Sequence, residues 1–185
     1  MGKSKGFRRK RRDLTQTDRK IIFVSMKKLL IVLVTVLAAL SASPRMEAQD
    51  GQTHPVLVVN RSGSIALVYQ PFSKYVGQGK PTLLYFWGAR YDECRDEALL
   101  VQQLQQKFKG LTALGVPIDG EIDATRDKMK ELGLTYPQLF DMDDEPSGRY
   151  DLDGLPYTVL LKPDGTVLVQ GLHGEALEKA VEECF

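Results

Sequence analysis

The apolar and polar positions along the chain predict short strands and amphipathic helices. Residues 81–87 (PTLLYFW) form a continuous apolar run, which is typical of a strand buried on both faces of a sheet. From Asp92 onward the apolar residues are spaced by three and four positions until Gly110, as on one face of a helix. We therefore predict a central strand that is followed directly by a helix beginning near Tyr91 or Asp92.

The remaining elements continue this alternation of strands and helices. After the first helix, the pattern predicts a strand at 111–118, a helix at 122–132, strands at 156–161 and 166–170 around a KPDG turn, and a closing helix at 175–184. Two β-branched runs at 56–60 and 64–69 precede the central strand and predict an N-terminal strand pair. This order predicts an α/β fold in which strands and helices alternate around one sheet.

Charge and hydropathy set the N-terminal region apart. Residues 1–28 carry eleven Lys or Arg and two Asp, and the apolar run 29–40 (LLIVLVTVLAAL) follows at once. A basic segment followed by a short apolar segment is the order of a secretory signal, and about twelve apolar residues are fewer than the roughly 20 that span a membrane. We therefore predict export to the periplasm or another extracytoplasmic space rather than nucleic-acid binding.

These features give the predicted domain boundaries. Residues 1–43 form the basic head and signal peptide, residues 44–54 a polar linker, and residues 55–185 the folded domain. A signal anchor that holds the protein in the membrane through residues 29–42 is the alternative to a cleaved signal. Met26, which starts a compact signal sequence of its own, is an alternative start of translation.

The residues with reactive side chains exclude several classes of site. Cys94 and Cys184 are the only cysteines, so the chain can form at most one internal disulfide. His54 and His173 lack metal-ligand spacing, and the sequence has neither a glycine-rich phosphate loop nor a serine nucleophile elbow. We therefore predict no metal site and no cofactor.

Four segments follow one another along the chain: GKPTLLYFWGARYDEC, ALGVPID with the helix after it, GLPYTVLL and KPDGTVLVQG. In this order they resemble the thioredoxin superfamily and within it the TlpA/ResA-like exported thiol-disulfide oxidoreductases. The resemblance covers residues 55–185. It implies a three-layer sandwich with a mixed central sheet flanked by helices, and a protein or peptide thiol or disulfide as partner.

The resemblance also implies where the site lies. The family's Cys-x-x-Cys motif opens a helix, and this chain has Tyr91 at the first position and Cys94 at the second. Glu97 matches an acid thought to assist proton movement near the second thiol. Pro156, after Leu155, matches a cis proline that aligns an extended substrate strand. Because thiol exchange needs a thiolate nucleophile and a phenol cannot supply one, the resemblance implies a redox motif that has lost its nucleophile.

Two functions from different classes follow from these residues. In the first, the protein binds extended segments beside Leu155 and Pro156, with Tyr91 and Trp87 as an aromatic surface. In the second, Cys94 retains single-thiol oxidoreductase or peroxiredoxin-like activity. A purely structural role is the alternative for these residues. A lone cysteine such as Cys94 is commonly a packed apolar residue, and Trp87 can be a core residue without contact to a substrate.

The second cysteine bears on the oligomeric state. We expect the last helix to carry Cys184 away from the site. The distance between the Cα atoms of Cys184 and Cys94 would then exceed the roughly 7 Å that a disulfide tolerates, so we predict no bond between them. The chain is predicted to be a monomer, and a dimer linked through Cys184 is the alternative.

Overall fold

The computed structural model describes residues 52–142, 144 and 146–185. The predictions for the basic head, the signal or anchor, and the linker up to residue 51 lie outside these residues. Within the described residues, no helix combines the length and the apolar character needed to cross a membrane.

The described residues alternate strands and helices as the pattern predicts. The strands are β1 (Thr53–Val59), β2 (Ile65–Pro71), β3 (Thr82–Trp87), β4 (Thr112–Pro117), β5 (Gln138–Leu139), β6 (Tyr157–Leu161) and β7 (Val167–Gln170). The α-helices are α1 (Arg95–Lys107), α2 (Ile122–Leu132) and α3 (Gly174–Glu182). Short 3-10 helices occur at Phe72–Lys74, Asp92–Cys94 and Ser147–Arg149.

The strands of the described region form one mixed seven-stranded sheet in the order β2-β1-β5-β4-β3-β6-β7. β3 pairs in parallel with β4 and antiparallel with β6, so it lies inside the sheet. All six residues of β3 are buried, which explains its unbroken apolar sequence. The fold class is therefore the predicted α/β class with a mixed sheet.

Two apolar clusters cover the two faces of the sheet. The side chains of β3 alternate between them, with Leu83 and Tyr85 in one cluster and Leu84 and Phe86 in the other. The buried apolar residues of α1, α2 and α3 all lie in the first cluster. The crossovers from β3 to β4 and from β4 to β5 proceed in the same direction, and right-handed crossovers of this kind put their helices on one face. Phe72, Tyr75 and Tyr150 help to cover the opposite face.

A buried polar contact joins β3 to β5 within this core. The indole Nε1 of Trp87 donates a hydrogen bond of 2.9 Å to Gln138 Oε1, and Gln138 Nε2 donates one of 3.1 Å to the carbonyl of Tyr136. Gly115 leaves room for the amide, because a Cβ there would lie 1.9 Å from Gln138 Oε1. The buried polar groups of Trp87 and Gln138 are thus paired, which avoids the cost of burying them without partners.

The sequence predictions differ from the structure mainly at one strand. The bounds of α2 are those predicted, and Gly133 ends this helix in the left-handed conformation at φ 65°. The pattern predicts no element at strand β5, which pairs with β1 and β4 and so joins the N-terminal strand pair to the sheet. β1 begins at Thr53, two residues before the predicted start of the domain at residue 55.

We expect Gly115→Ala to destabilise the domain through the Trp87–Gln138 contact. The added methyl group must displace the Gln138 amide, and overpacking in a core costs about 1–3 kcal/mol. Urea unfolding of the full chain measures the change. Gly148→Ala is the matched control, because a Cβ at Gly148 meets nothing within 4 Å. Equal stability of the two variants would contradict the assigned role of Gly115.

Candidate functional site

The candidate site lies at the edge of the sheet where β3 ends and β6 begins. Tyr157 pairs with Phe86, so Pro156 lies beside Trp87 at this edge. β4 is parallel to β3 and ends at the same edge, where the backbone N–H of Ile118 donates to the carbonyl of Trp87 at 3.0 Å. The pairing of β3 on both sides therefore brings the 88–94 turn, the 118–121 loop and the Pro156 segment together.

Residues 88–91 form a turn that is attached to the loop after β4. The backbone N–H of Tyr91 donates to the carbonyl of Gly88 at 3.1 Å, and the backbone N–H of Ala89 donates to Asp119 Oδ2 at 2.9 Å. Arg90 forms a 3.2 Å salt bridge with Glu121 at the surface. These contacts fix the direction in which the chain enters the Asp92–Cys94 turn and α1.

Tyr91 presents its ring at the surface of this turn. Its side chain is 53% exposed, and its ring lies against the backbone of Gly88. A Cβ at Gly88 would be 2.3 Å from Tyr91 Cδ2, so the ring occupies the space that a side chain at residue 88 would need. Tyr91 therefore presents an exposed aromatic ring at the position where the resemblance expects a thiol.

Cys94 is 1% exposed, and its backbone N–H donates to the carbonyl of Tyr91 at 3.1 Å. The hydroxyl of Tyr85 donates to the carbonyl of Cys94 and holds this residue against β3. Burial raises the pKa of the Cys94 thiol above its ordinary value, although hydrogen bonds from the Gly88 backbone and the Tyr85 side chain oppose the shift. The sulfur is thus largely protonated at neutral pH, which disfavours nucleophilic chemistry.

Glu97 lies one turn further along α1 and is only 9% exposed. Its Oε2 accepts a long hydrogen bond of 3.4 Å from the backbone N–H of Gly174, at the start of α3. Its Oε1 has no hydrogen-bond partner among the described residues. Burial raises the pKa of this carboxyl, while the Gly174 N–H and the nearby His173 favour the charged form. An unpaired buried oxygen typically costs about 1–3 kcal/mol, so this position is unfavourable for stability alone.

A groove opens beside Pro156. It has a volume of about 420 Å³ and is lined by Glu97, Asp153, Gly154, Leu155, Pro156 and His173. The Leu155–Pro156 peptide bond is cis, as the resemblance implies. Two of the lining residues, Glu97 and Asp153, carry carboxylates. The groove therefore combines an apolar wall with carboxylates.

The structure gives Trp87 a different role from the predicted substrate contact. Its side chain is 1% exposed, stacks on Tyr85 with ring centroids 6.0 Å apart, and donates to Gln138. A ring enclosed in this way has no surface for a substrate, so the aromatic surface predicted for Tyr91 and Trp87 reduces to Tyr91. Trp87 is therefore a core residue, as the structural alternative stated from the sequence has it.

Cys184 lies in the turn after α3. Both cysteines are free thiols, and Cys184 is half-buried, with its Sγ directed at the carbonyl of Ala180 at 3.4 Å. Burial, and then the charge of Glu183, raises the pKa of this thiol. The next residue, Phe185, stacks on Phe108 near the C-terminal end of α1, with ring centroids 4.9 Å apart. Cys184 thus lies near the opposite end of α1 from Cys94.

Several residues of the site were not predicted from the sequence. His173, Asp153 and Gly154 line the groove, and Asp119 holds the 88–91 turn. Gly154 and Asp119 lie in two of the segments that carry the resemblance, but neither was assigned a role there. The Glu97–Gly174 contact joins residues 77 positions apart, so only the fold reveals it. In the region that the structure describes, no three His, Cys, Asp or Glu side chains are grouped so that they could hold a metal ion.

Known proteins with related sequences are named as redox or secreted proteins. The chain is 30% identical over 108 residues to the thiol-disulfide oxidoreductase ResA of Bacillus subtilis, covering 57% of this chain and 60% of ResA. It is 26% identical over 135 residues to the soluble secreted antigen MPT53 of Mycobacterium bovis, covering 73% of this chain and 74% of that protein. The chain therefore spans less than two thirds of the length of ResA.

The fold and a family model complete the comparison. The thioredoxin domain of a thiol-disulfide oxidoreductase from Bacteroides vulgatus superposes with a TM-score of 0.55 at 24% identity, covering 72% of this chain and 95% of that domain. This likeness shows that the fold is thioredoxin-like. The model of the AhpC/TSA family matches residues 50–170, well over half of the chain. The chain belongs to the AhpC/TSA family.

Proposed function

We propose that this protein is an exported, thioredoxin-like member of the thiol-disulfide oxidoreductase lineage that binds extended protein segments and does not perform dithiol turnover. The observation that carries the proposal is the replacement of the nucleophile by an exposed ring: Tyr91 occupies the turn before α1, and Cys94 is buried behind it. The names of ResA and of the secreted antigen MPT53 support the redox lineage and the export.

The surface around the turn supports a binding role. Tyr91 and Ile118 are exposed large apolar side chains on adjacent turns, and Leu155 and Pro156 form one wall of the groove. Rigid aromatic side chains such as Tyr91 contribute strongly to protein recognition at low cost in conformational entropy. We infer that an extended segment lies along Pro156 and contacts the Tyr91 ring.

A single-thiol activity through Cys94 is the second candidate, and the AhpC/TSA match is the observation that favours it. It requires a thiolate at Cys94, whereas burial raises the pKa of this thiol. The chain also lacks two features expected of a peroxidatic site. Tyr91 stands at the threonine position of a Thr-x-x-Cys motif. The arginine expected before the penultimate strand is absent, and Leu155 and Pro156 lie in its neighbourhood. The binding function therefore agrees better with the site.

Redox assays separate the two candidates. We expect wild type and Cys94→Ser to show the same background rate of insulin reduction and of peroxide consumption, because no accessible thiolate is available. Tyr91→Cys should raise insulin reduction above background, since it places a second thiol at the start of the helix. Tyr91→Cys combined with Cys94→Ser is the control and should lose that gain. Wild-type turnover that Cys94→Ser abolishes would overturn the binding-only function.

Thiol labelling tests the chemical state of Cys94. With Cys184→Ser as background, we expect Cys94 to react with iodoacetamide more slowly than after unfolding at every pH from 7 to 9, because its raised pKa and burial keep it protonated and covered. The rate should increase with pH through this range as the thiolate forms. A rate at pH 7 that equals or exceeds that of the unfolded chain would show a reactive cysteine and contradict this account.

Peptide binding tests the role of Tyr91. We expect Tyr91→Ala to weaken binding of a cysteine-free extended peptide about tenfold, the scale of an aromatic residue central to an interface. Fluorescence anisotropy with the full chain measures the dissociation constant. Tyr69→Ala is the matched control, because Tyr69 is 67% exposed but lies on the edge strand β2. Equal effects of the two substitutions would contradict a binding surface at Tyr91.

A further inference from the structure

The groove beside Pro156 contains a carboxylate whose hydrogen bonding is incomplete. Glu97 lines the groove and is 9% exposed, and its Oε1 has no hydrogen-bond partner among the described residues. Among the residues that the structure describes, its Oε2 accepts only the 3.4 Å hydrogen bond from Gly174. The terminal torsion of a glutamate has a broad energy well, so a ligand in the groove can reorient this carboxylate. Glu97 thus lacks a hydrogen-bond donor that a ligand in the groove can supply.

The charges around the groove favour a cationic donor. Asp153 lines the groove with Glu97, and no lysine or arginine of the described region lines it. The exposed imidazole of His173 is the basic group among the lining residues. Two carboxylates beside an apolar wall match a side chain that has a charged head and an apolar stem, because the stem can pack on Leu155 and Pro156 while the head reaches the carboxylates.

We propose that the groove receives a lysine or arginine side chain of the bound segment, with Glu97 and Asp153 as the groups that select it. This inference rests on the proposed function, because it assigns a preferred residue to the segment that lies along Pro156. The basic head group donates to Glu97 Oε1 and satisfies the buried oxygen. Asp153 lies at the solvent-exposed part of the groove, and its carboxylate attracts the same positively charged head group.

The test compares short cysteine-free extended peptides that differ only at a central residue. This residue is arginine, lysine, citrulline or norleucine, so that citrulline removes the charge of arginine and norleucine removes the amine of lysine. Binding to the full chain is measured at physiological ionic strength, where exposed charges separated by more than ~8 Å are largely screened. We expect each basic peptide to bind about tenfold more tightly than its neutral counterpart, the scale of a charge-assisted hydrogen bond.

Three variants of the full chain assign the preference to the groove. Glu97→Gln and Asp153→Asn should each reduce the preference for the basic peptides, and Glu97→Gln should reduce it most. Asp96→Asn is the control, because it removes one negative charge from an exposed neighbour of Glu97 that does not line the groove. Circular dichroism checks that each variant folds. Because Asp153 is exposed, we expect Asp153→Asn to fold, so this variant still decides the test if Glu97→Gln does not fold.

The outcomes distinguish this inference from the function on which it rests. Equal binding of basic and neutral peptides overturns the inference and leaves the binding function standing. If Asp96→Asn and the groove variants lose the preference for basic peptides equally, the inference is also overturned. The negative charge of this region as a whole, and not the groove, would then cause the preference. Failure of every peptide to bind overturns the proposed function together with the inference.

Discussion

The pairing of β3 on both of its edges is the constraint on which the candidate site depends. β4 on one side and β6 on the other fix the end of β3, and this pairing places Pro156 beside Trp87 and the loop after β4 beside Gly88. The chain must then turn over the edge of the sheet before α1 begins. Tyr91 lies on this turn, Cys94 lies behind it, and Glu97 lies one helical turn further along. The buried hydrogen bond from Trp87 to Gln138 also stabilises this end of β3, because it joins β3 to β5.

Burial then determines what each side chain can do. Cys94 lies in the apolar core, where a thiolate is disfavoured, and the residue at the expected nucleophile position is a phenol. Glu97 is also buried, but it lines a groove, and one of its oxygens has no hydrogen-bond partner in the described part of the chain. The cysteine therefore has the character of a core residue. Under the proposed function, this scaffold, whose relatives are named as oxidoreductases, binds a protein segment instead of exchanging disulfides with it.

The sequence predicts most of the fold because its strongest signals are local. The unbroken apolar run of β3, the spacing along α1 and Gly133 at the end of α2 each reflect a physical requirement of the element that contains it. β5 escapes prediction because two residues, Gln138 and Leu139, are too few to show a period. The position of Pro156 relative to Tyr91 follows from a resemblance rather than from any local pattern. His173 and Asp153 could not be predicted, since they come to Glu97 only through the packing of α3 and the approach to β6.

The most direct test of this account is the mapping of the bound segment on the full chain by backbone NMR. A cysteine-free extended peptide is titrated into the isotopically labelled protein, and the amide shifts of the described residues are followed. The account predicts shifts at Tyr91, Leu155 and His173, with no requirement for a cysteine in the peptide. Shifts confined to the edge strands β2 and β7, or binding that occurs only when the ligand carries a disulfide, would contradict it.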